Sequence, residues 1–329
     1  MPSPPVDSRI LSVPKAGADA SEYEDAAAVR PDDWPVRVAL ADGATESIFA
    51  RAWAETLVEG MTATAATPEA LTTALPDWQA RWAAALADRT EVAPWYAKVK
   101  LREGAFATLL GLELNADGRW RAVAVGDCGL FHLRDDTLQR AWPSAAPEEG
   151  TNRPALLPSR RDQMSRSPDD YRAVTGHWQP GDAFLLATDA VVAWLLRAEQ
   201  QHEALSAART WDADAFREAV AAARADDRLR NDDCTLLVLE LHAPTDAETR
   251  GDGPVAERHN ARRHPSSTVS NLIMLVERVI SKSLACRSEQ RRRTSPNTAG
   301  SPGGFLDFAR NDVPLIWILR SRHCIKNEL

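Results

Sequence analysis

The chain of 329 residues carries 39 Lys+Arg against 47 Asp+Glu, a formal net charge of −8, and is 44% hydrophobic and 26% charged. These are ordinary globular proportions with enough apolar material for a sizeable core. No run of about 18 apolar residues is present, and the opening MPSPPVDSRILSVPK has no apolar signal segment, so a cytoplasmic protein without membrane insertion is expected. The charge is uneven: residues 251–329 hold 13 basic and 7 acidic groups, and residues 1–250 hold 26 and 40. A strongly acidic body repels phosphodiester backbones, which argues against nucleic acid as its substrate.

In chain order, residues 1–20 are rich in Pro, Ser and Ala and are expected to be irregular. VRVALA (36–41) reads as a strand ending at Asp42-Gly43. In residues 46–61, Phe49, Ala52, Trp53, Leu57 and Val58 fall at helical spacing. Two further helices are expected in 68–89, separated at Pro76. Residues 104–115 and 119–127, joined by the turn NADG, predict a β-hairpin, with the next strand at 129–136. Residues 143–180 show weak periodicity and read as a long loop region. A buried strand is expected at 182–188, helices at 191–200 and 211–225, and a last strand at 234–242. Hairpins with helices between them point to antiparallel sheets covered by helices. Beyond His242 the composition turns polar and then basic. Residues 244–329 read as a largely disordered basic appendage, with one amphipathic helix expected at 270–284 and a basic cluster at 291–304 able to touch an anionic partner.

The unusual feature is the position of the aspartates. VRVALA runs into Asp42-Gly43, RAVAV into Gly126-Asp127 and AFLLAT into Asp189, while Asn231-Asp232-Asp233 runs into CTLLVLEL. A carboxylate at the end of a buried strand loses hydration and stays ionised only beside a cation. Too few Lys or Arg are neighbours in sequence to serve as local partners. Several such carboxylates at one sheet edge would repel one another, and a divalent cation relieves the repulsion. Oxygen-only ligands suit Mg²⁺ or Mn²⁺ better than zinc. Any single Asp-Gly after a strand is most simply a turn; the ordered set is more specific.

That set comprises Tyr23-Glu24-Asp25-Ala26, Ala41-Asp42-Gly43-Ala44, Gly104 to Thr108, Val125-Gly126-Asp127, Ala187-Thr188-Asp189-Ala190 and Asp232-Asp233-Cys234-Thr235. In order and spacing it resembles the boxes of the protein phosphatase 2C family, the metal-dependent Ser/Thr protein phosphatases, and most closely their bacterial branch, over residues 20–241. The resemblance implies an α+β fold, a four-layer α-β-β-α sandwich of two antiparallel sheets, in a domain at 21–243. It implies a binuclear Mn²⁺ or Mg²⁺ centre in which Asp42 bridges two ions and the Gly43 carbonyl, Asp189 and Asp232 complete the ligands. Asp127 matches an aspartate associated with a third ion. Glu24 and Asp25 match residues that hold metal-bound waters, and Asp233 stands where a polar supporting residue is common. The implied reaction is hydrolysis of phosphoserine and phosphothreonine in proteins by a metal-activated water, opposing a cognate Ser/Thr kinase. Three positions depart from the pattern: Ala44 stands where His is frequent, no Arg precedes Glu24-Asp25 closely, and Ala190 replaces a turn glycine. These departures motivate a second reading, a pseudophosphatase that binds phosphoprotein or metal without turnover.

Other residues read as structural. The seven histidines show no metal spacing, and Trp53, Trp82 and Trp194 lie on apolar helix faces. Cys128, Cys234, Cys286 and Cys324 lack zinc spacing and read as reduced thiols, the first two as small buried fillers beside aspartates. Arg153, in the long loop, is a candidate contact for substrate phosphate.

Overall fold

The structure, a computed structural model, describes residues 4–19, 22–44, 49–92, 103–143, 155–163, 170–198 and 200–243. Arg153 and the expected appendage, with its helix at 270–284, lie outside these residues.

Two five-stranded antiparallel sheets form the centre. The first has the order β1 (Val6–Val13), β12 (Cys234–Leu241), β11 (Ala183–Ala187), β7 (Gly129–Arg134), β8 (Thr137–Trp142). The second has the order β10 (Arg172–His177), β6 (Arg119–Val125), β5 (Leu109–Leu114), β3 (Val36–Ala41), β2 (Ala26–Arg30). A two-stranded ribbon of β4 (Phe106–Ala107) and β9 (Leu157–Pro158) forms a third, small sheet.

Alternation along the strands explains the layers. In β11, Phe184 and Leu186 join Val38, Leu40, Leu112, Ala122, Ala124, Leu237 and Leu239 in the core between the sheets. Leu185 and Ala187 point the other way, into a second core with Leu195, Leu205, Phe216 and Val220. Those four come from α3 (Asp189–Arg197), α4 (Gln201–Thr210) and α5 (Ala213–Ala225), which cover the first sheet. On the outer face of the second sheet α1 (Ala50–Thr62) packs against β2, β3 and β5, and α2 (Pro68–Val92) packs on α1. The result is the expected α-β-β-α sandwich.

Three local expectations are corrected, and one helix was not anticipated. Residues 1–20 are not irregular throughout, because Val6–Val13 pairs with β12 over its full length, Val6 opposite Leu241 and Val13 opposite Cys234. Asp7, Ser8, Arg9 and Ser12 hid this edge strand, since an edge exposes alternate positions to water. Pro76 does not divide a helix pair. One helix runs from Pro68 to Val92, because Leu71, Leu75, Trp78, Trp82 and Leu86 form a buried stripe whose burial outweighs the roughly 3 kcal/mol cost of an interior proline. The region 143–180 holds β9, a short 3₁₀ turn (Arg161–Gln163) and β10, the last an exposed edge strand with little apolar signal. Helix α4, with only Leu205 and Ala208 buried, is too weakly amphipathic to be read from sequence. No helix among the described residues is long and apolar enough to cross a membrane.

Candidate metal centre and active site

Antiparallel pairing gathers the aspartates. β3 and β6 both run antiparallel to β5, so their C-terminal ends share one end of the second sheet. Asp42 follows β3 there and Asp127 follows β6. Ala26 opposite Ala41 places the start of β2, and Asp25 before it, at the same end. In the first sheet β11 runs toward this end and β12 away from it, with Ala187 opposite Leu236. Asp189 and Asp232 therefore flank the same rim, joined by the Thr188 amide donating to the Thr235 carbonyl at 3.1 Å.

The backbone is shaped for this crowding. Beyond β3 the chain pairs with the ribbon: the Thr108 amide donates to the Asp42 carbonyl (2.9 Å) and the Ala44 amide to the Phe106 carbonyl (2.9 Å). The Asp42 amide donates to Thr108 Oγ1 at 3.0 Å. A Cβ on Gly43 would stand 2.7 Å from the Glu24 carbonyl oxygen, so glycine is what lets the segment before β2 close over Asp42. Gly126 turns Asp127 inward at φ +103°, where a Cβ would also strike Thr108 at 2.5 Å.

Like charges then act on one another. Burial, followed by Asp25, Asp189, Asp232 and Asp127, holds the Asp42 carboxyl well above the usual carboxylate range. Burial lifts Asp25 to about 7 even though hydrogen bonds with Thr235, Asp42 and Thr188 oppose the rise; Asp233 adds to it. Burial and then Asp189 lift Asp127 to about 6 against Arg230 and Arg172. Asp42, Asp127, Asp189, Asp232 and Asp25 thus stand in one electrostatic cluster.

The supporting residues have defined partners. Asp233 Oδ1 accepts from the Lys15 amide and Oδ2 from the Glu24 amide, both at 2.8 Å. Both of its oxygens bind the N-terminal loop, so its work is to anchor that loop. Asn231 adds to the anchor through the Ala16 amide (2.7 Å) and carbonyl (3.2 Å). Glu24 faces Lys15 Nζ at 3.6 Å, and Arg51 Nη1 donates to the neighbouring Tyr23 carbonyl at 3.4 Å. Thr235 Oγ1 donates to Asp25 Oδ2 at 2.6 Å and also meets the Tyr23 hydroxyl. Cys128 is buried against Thr108 Oγ1 at 3.0 Å, and burial followed by Asp42 pushes its thiol up. Burial pushes Cys234 up to about 12. Neither thiol is disposed to be a nucleophile.

Two readings of the sequence change. Ala190 needs no left-handed backbone: it lies buried in the first turn of α3, and no positive φ occurs there among the described residues. The cluster also has a local cation. Arg230 Nη2 donates to Asp189 Oδ2 at 2.5 Å and to Asp232 Oδ2 at 2.9 Å. Its place two residues before Asp232 was the sequence signal for it.

The donor set fits a hard divalent cation. It is all oxygen, it is short of positive charge, and Asp189 Oδ1 is buried without a hydrogen-bond partner. Among the described residues, no three His, Cys, Asp or Glu side chains are grouped closely enough to hold a metal ion.

No family model and no curated protein sequence matches this chain. Solved structures similar to it include the serine/threonine phosphatase PstP/Ppp of Mycobacterium tuberculosis, at 16% identity and TM-score 0.49, covering 72% of this chain and 99% of that one. PppA, a key regulatory component of T6SS in Pseudomonas aeruginosa, is similar at 19% identity and TM-score 0.46, covering 73% and 99%. RsbX in complex with magnesium is similar at 16% identity and TM-score 0.42, covering 72% and 95%. The chain itself has two stacked antiparallel sheets covered on both outer faces by helices, an α+β fold.

Proposed function

We propose that the protein is a Mn²⁺- or Mg²⁺-dependent phosphomonoesterase that hydrolyses phosphoserine and phosphothreonine in proteins, opposing a Ser/Thr kinase. The observation that carries this reading is the crowding of Asp42, Asp127, Asp189 and Asp232, with Asp25 behind them, at one rim with Arg230 as their bridging cation. Partly buried carboxylates placed to repel one another, with the buried Asp25 behind them, cost stability, and such strain clusters at functional sites.

In this reading Asp42, the Gly43 carbonyl, Asp189 and Asp232 hold two ions, and Asp127 a third. Bound there, divalent ions supply a water acidic enough to lose its proton near neutral pH and offset charge on the phosphoryl oxygens. The chain's own groups do the rest. Burial raises the carboxyls of both Asp25 and Asp42, so cationic charge held beside them would favour their ionised forms. Asp233 fixes the loop that carries Glu24, and Gly43 lets that loop close. Purified protein is expected to hydrolyse p-nitrophenyl phosphate and phosphothreonine peptides with Mn²⁺ and to stop in EDTA; Asp42→Asn with an unchanged rate would overturn the assignment.

A second reading is favoured by the same arginine. A guanidinium between two ligand carboxylates, together with Ala44, suits a pseudophosphatase that recognises phosphoprotein without turnover. Calorimetric binding of a phosphopeptide with no phosphate release from any phosphopeptide tried would select it.

A further inference from the structure

The guanidinium of Arg230 stands where the proposed centre needs cationic charge. One nitrogen, Nη2, reaches Asp189 Oδ2 at 2.5 Å and Asp232 Oδ2 at 2.9 Å. These two carboxylates come from different strand ends and both act on Asp42 as like charges. The arginine is not part of the core: its side chain is 61% exposed, against 17% for Asp189 and 34% for Asp232. It reaches in from solvent. An arginine that was only a structural clamp would be expected to be packed and to use its other donors as well. Arg224, for comparison, spends Nη1 on the Pro14 carbonyl (3.0 Å) and Nη2 on the Asp232 carbonyl (2.6 Å) and holds the backbone in place.

Resting on the metallophosphatase reading, we infer that Arg230 is an exchangeable internal cation: it neutralises Asp189 and Asp232 while divalent ions are absent and must swing out for them to bind. Its charge and a divalent ion compete for the same two oxygens. An exposed guanidinium can leave without disturbing the fold, because Asp233, Asn231 and Arg224 hold the backbone around it. The exchange weakens metal affinity and sets a threshold concentration of Mn²⁺ or Mg²⁺ below which the site stays closed. It also protects the empty site from like-charge repulsion.

The test uses the full chain stripped with EDTA, titrated calorimetrically with MnCl₂ as wild type, Arg230→Ala and Arg230→Lys. Expected are about tenfold tighter Mn²⁺ binding for Arg230→Ala, the scale of a partly exposed ion pair released from competition, and an intermediate value for the lysine variant. In EDTA, Arg230→Ala should melt below wild type, and saturating Mn²⁺ should remove the difference. Equal affinity in wild type and Arg230→Ala overturns this inference alone. Loss of affinity in Arg230→Ala overturns it in favour of a metal-supporting arginine. Absence of Mn²⁺ binding from all three proteins overturns the metal reading itself and this inference with it.

Discussion

The two ends of the sandwich each hold a buried aspartate, and their surroundings are opposite. At the far end Asp182, 1% exposed, accepts from His132 Nε2, Arg134 Nε and Arg134 Nη2, all at 2.8 Å, and from the Gln179 amide at 3.0 Å. Burial alone would raise its pKa, but Arg134, His132 and that amide hold it below the usual range. His132 is stacked on Phe184 and pushed below its ordinary value by burial, against the pull of Asp182. At the near end Asp42 is raised by burial and by four other aspartates. A carboxylate that serves the fold is matched donor for donor; carboxylates left to repel one another serve something that arrives from outside.

The sharpest way to break this contrast is to neutralise one member of each end. Asp42→Asn should cost about a hundredfold or more of Mn²⁺-dependent phosphatase rate, the scale of losing a ligand or its support, yet in EDTA it should melt higher than wild type because repulsion is relieved. Asp182→Ala should leave metal binding intact and destabilise the fold by about 3–5 kcal/mol in urea titration, since His132 and Arg134 lose their shared partner. Two melting shifts of the same sign would erase the distinction. Gly43→Ala comes next, at about 1–3 kcal/mol for forcing a Cβ 2.7 Å from the Glu24 carbonyl, with weakened Mn²⁺ affinity as a second readout.

The smallest expected effect is in pH dependence. Asp25 is raised to about 7 and Asp127 to about 6, so between the unfolded carboxylate value and these values the native state binds more protons than the unfolded chain. Their contribution is full below pH 4 and is lost as pH rises toward 7, so in EDTA stability should fall by up to about 1.4 kcal/mol per pH unit per group over that window. Asp182, depressed, contributes the reverse: stability present above the unfolded value and lost as pH falls through its native one. Denaturant titrations of wild type and Asp25→Asn at pH 5, 6 and 7 check this. An identical slope in the two proteins would remove Asp25 from the cluster.

Much of the near end was legible because each aspartate follows or precedes an apolar strand, and antiparallel pairing leaves such positions only one end to share. The strands VRVALA, RAVAV, AFLLA and CTLLVLEL are buried along most of their length and betray themselves by composition. Edge strands do not: β1 and β10 mix polar and apolar residues because water replaces one neighbour. Arg230 stood legibly 2 residues from Asp232, but its pairing with Asp189, 41 residues away, was not visible in the sequence. The anchoring role of Asp233 was hidden for the same reason, since its acceptors reach Lys15 and Glu24, 218 and 209 residues distant. Periodicity reports what a segment buries, not which remote backbone it will meet.

The pairing of β1 with β12 has a kinetic meaning. Arg9 and Glu240, which bridge these strands, are separated by 231 positions, a contact order that places the union of the two strands late in folding. During synthesis, residues 6–13 wait with an open hydrogen-bonding edge until 234–241 emerge. The same arrival brings Asn231, Asp232 and Asp233 to the loop at 15–24. Completion of the first sheet therefore adds Asp232 to a rim whose Asp25, Asp42 and Asp127 the second sheet gathers without β12.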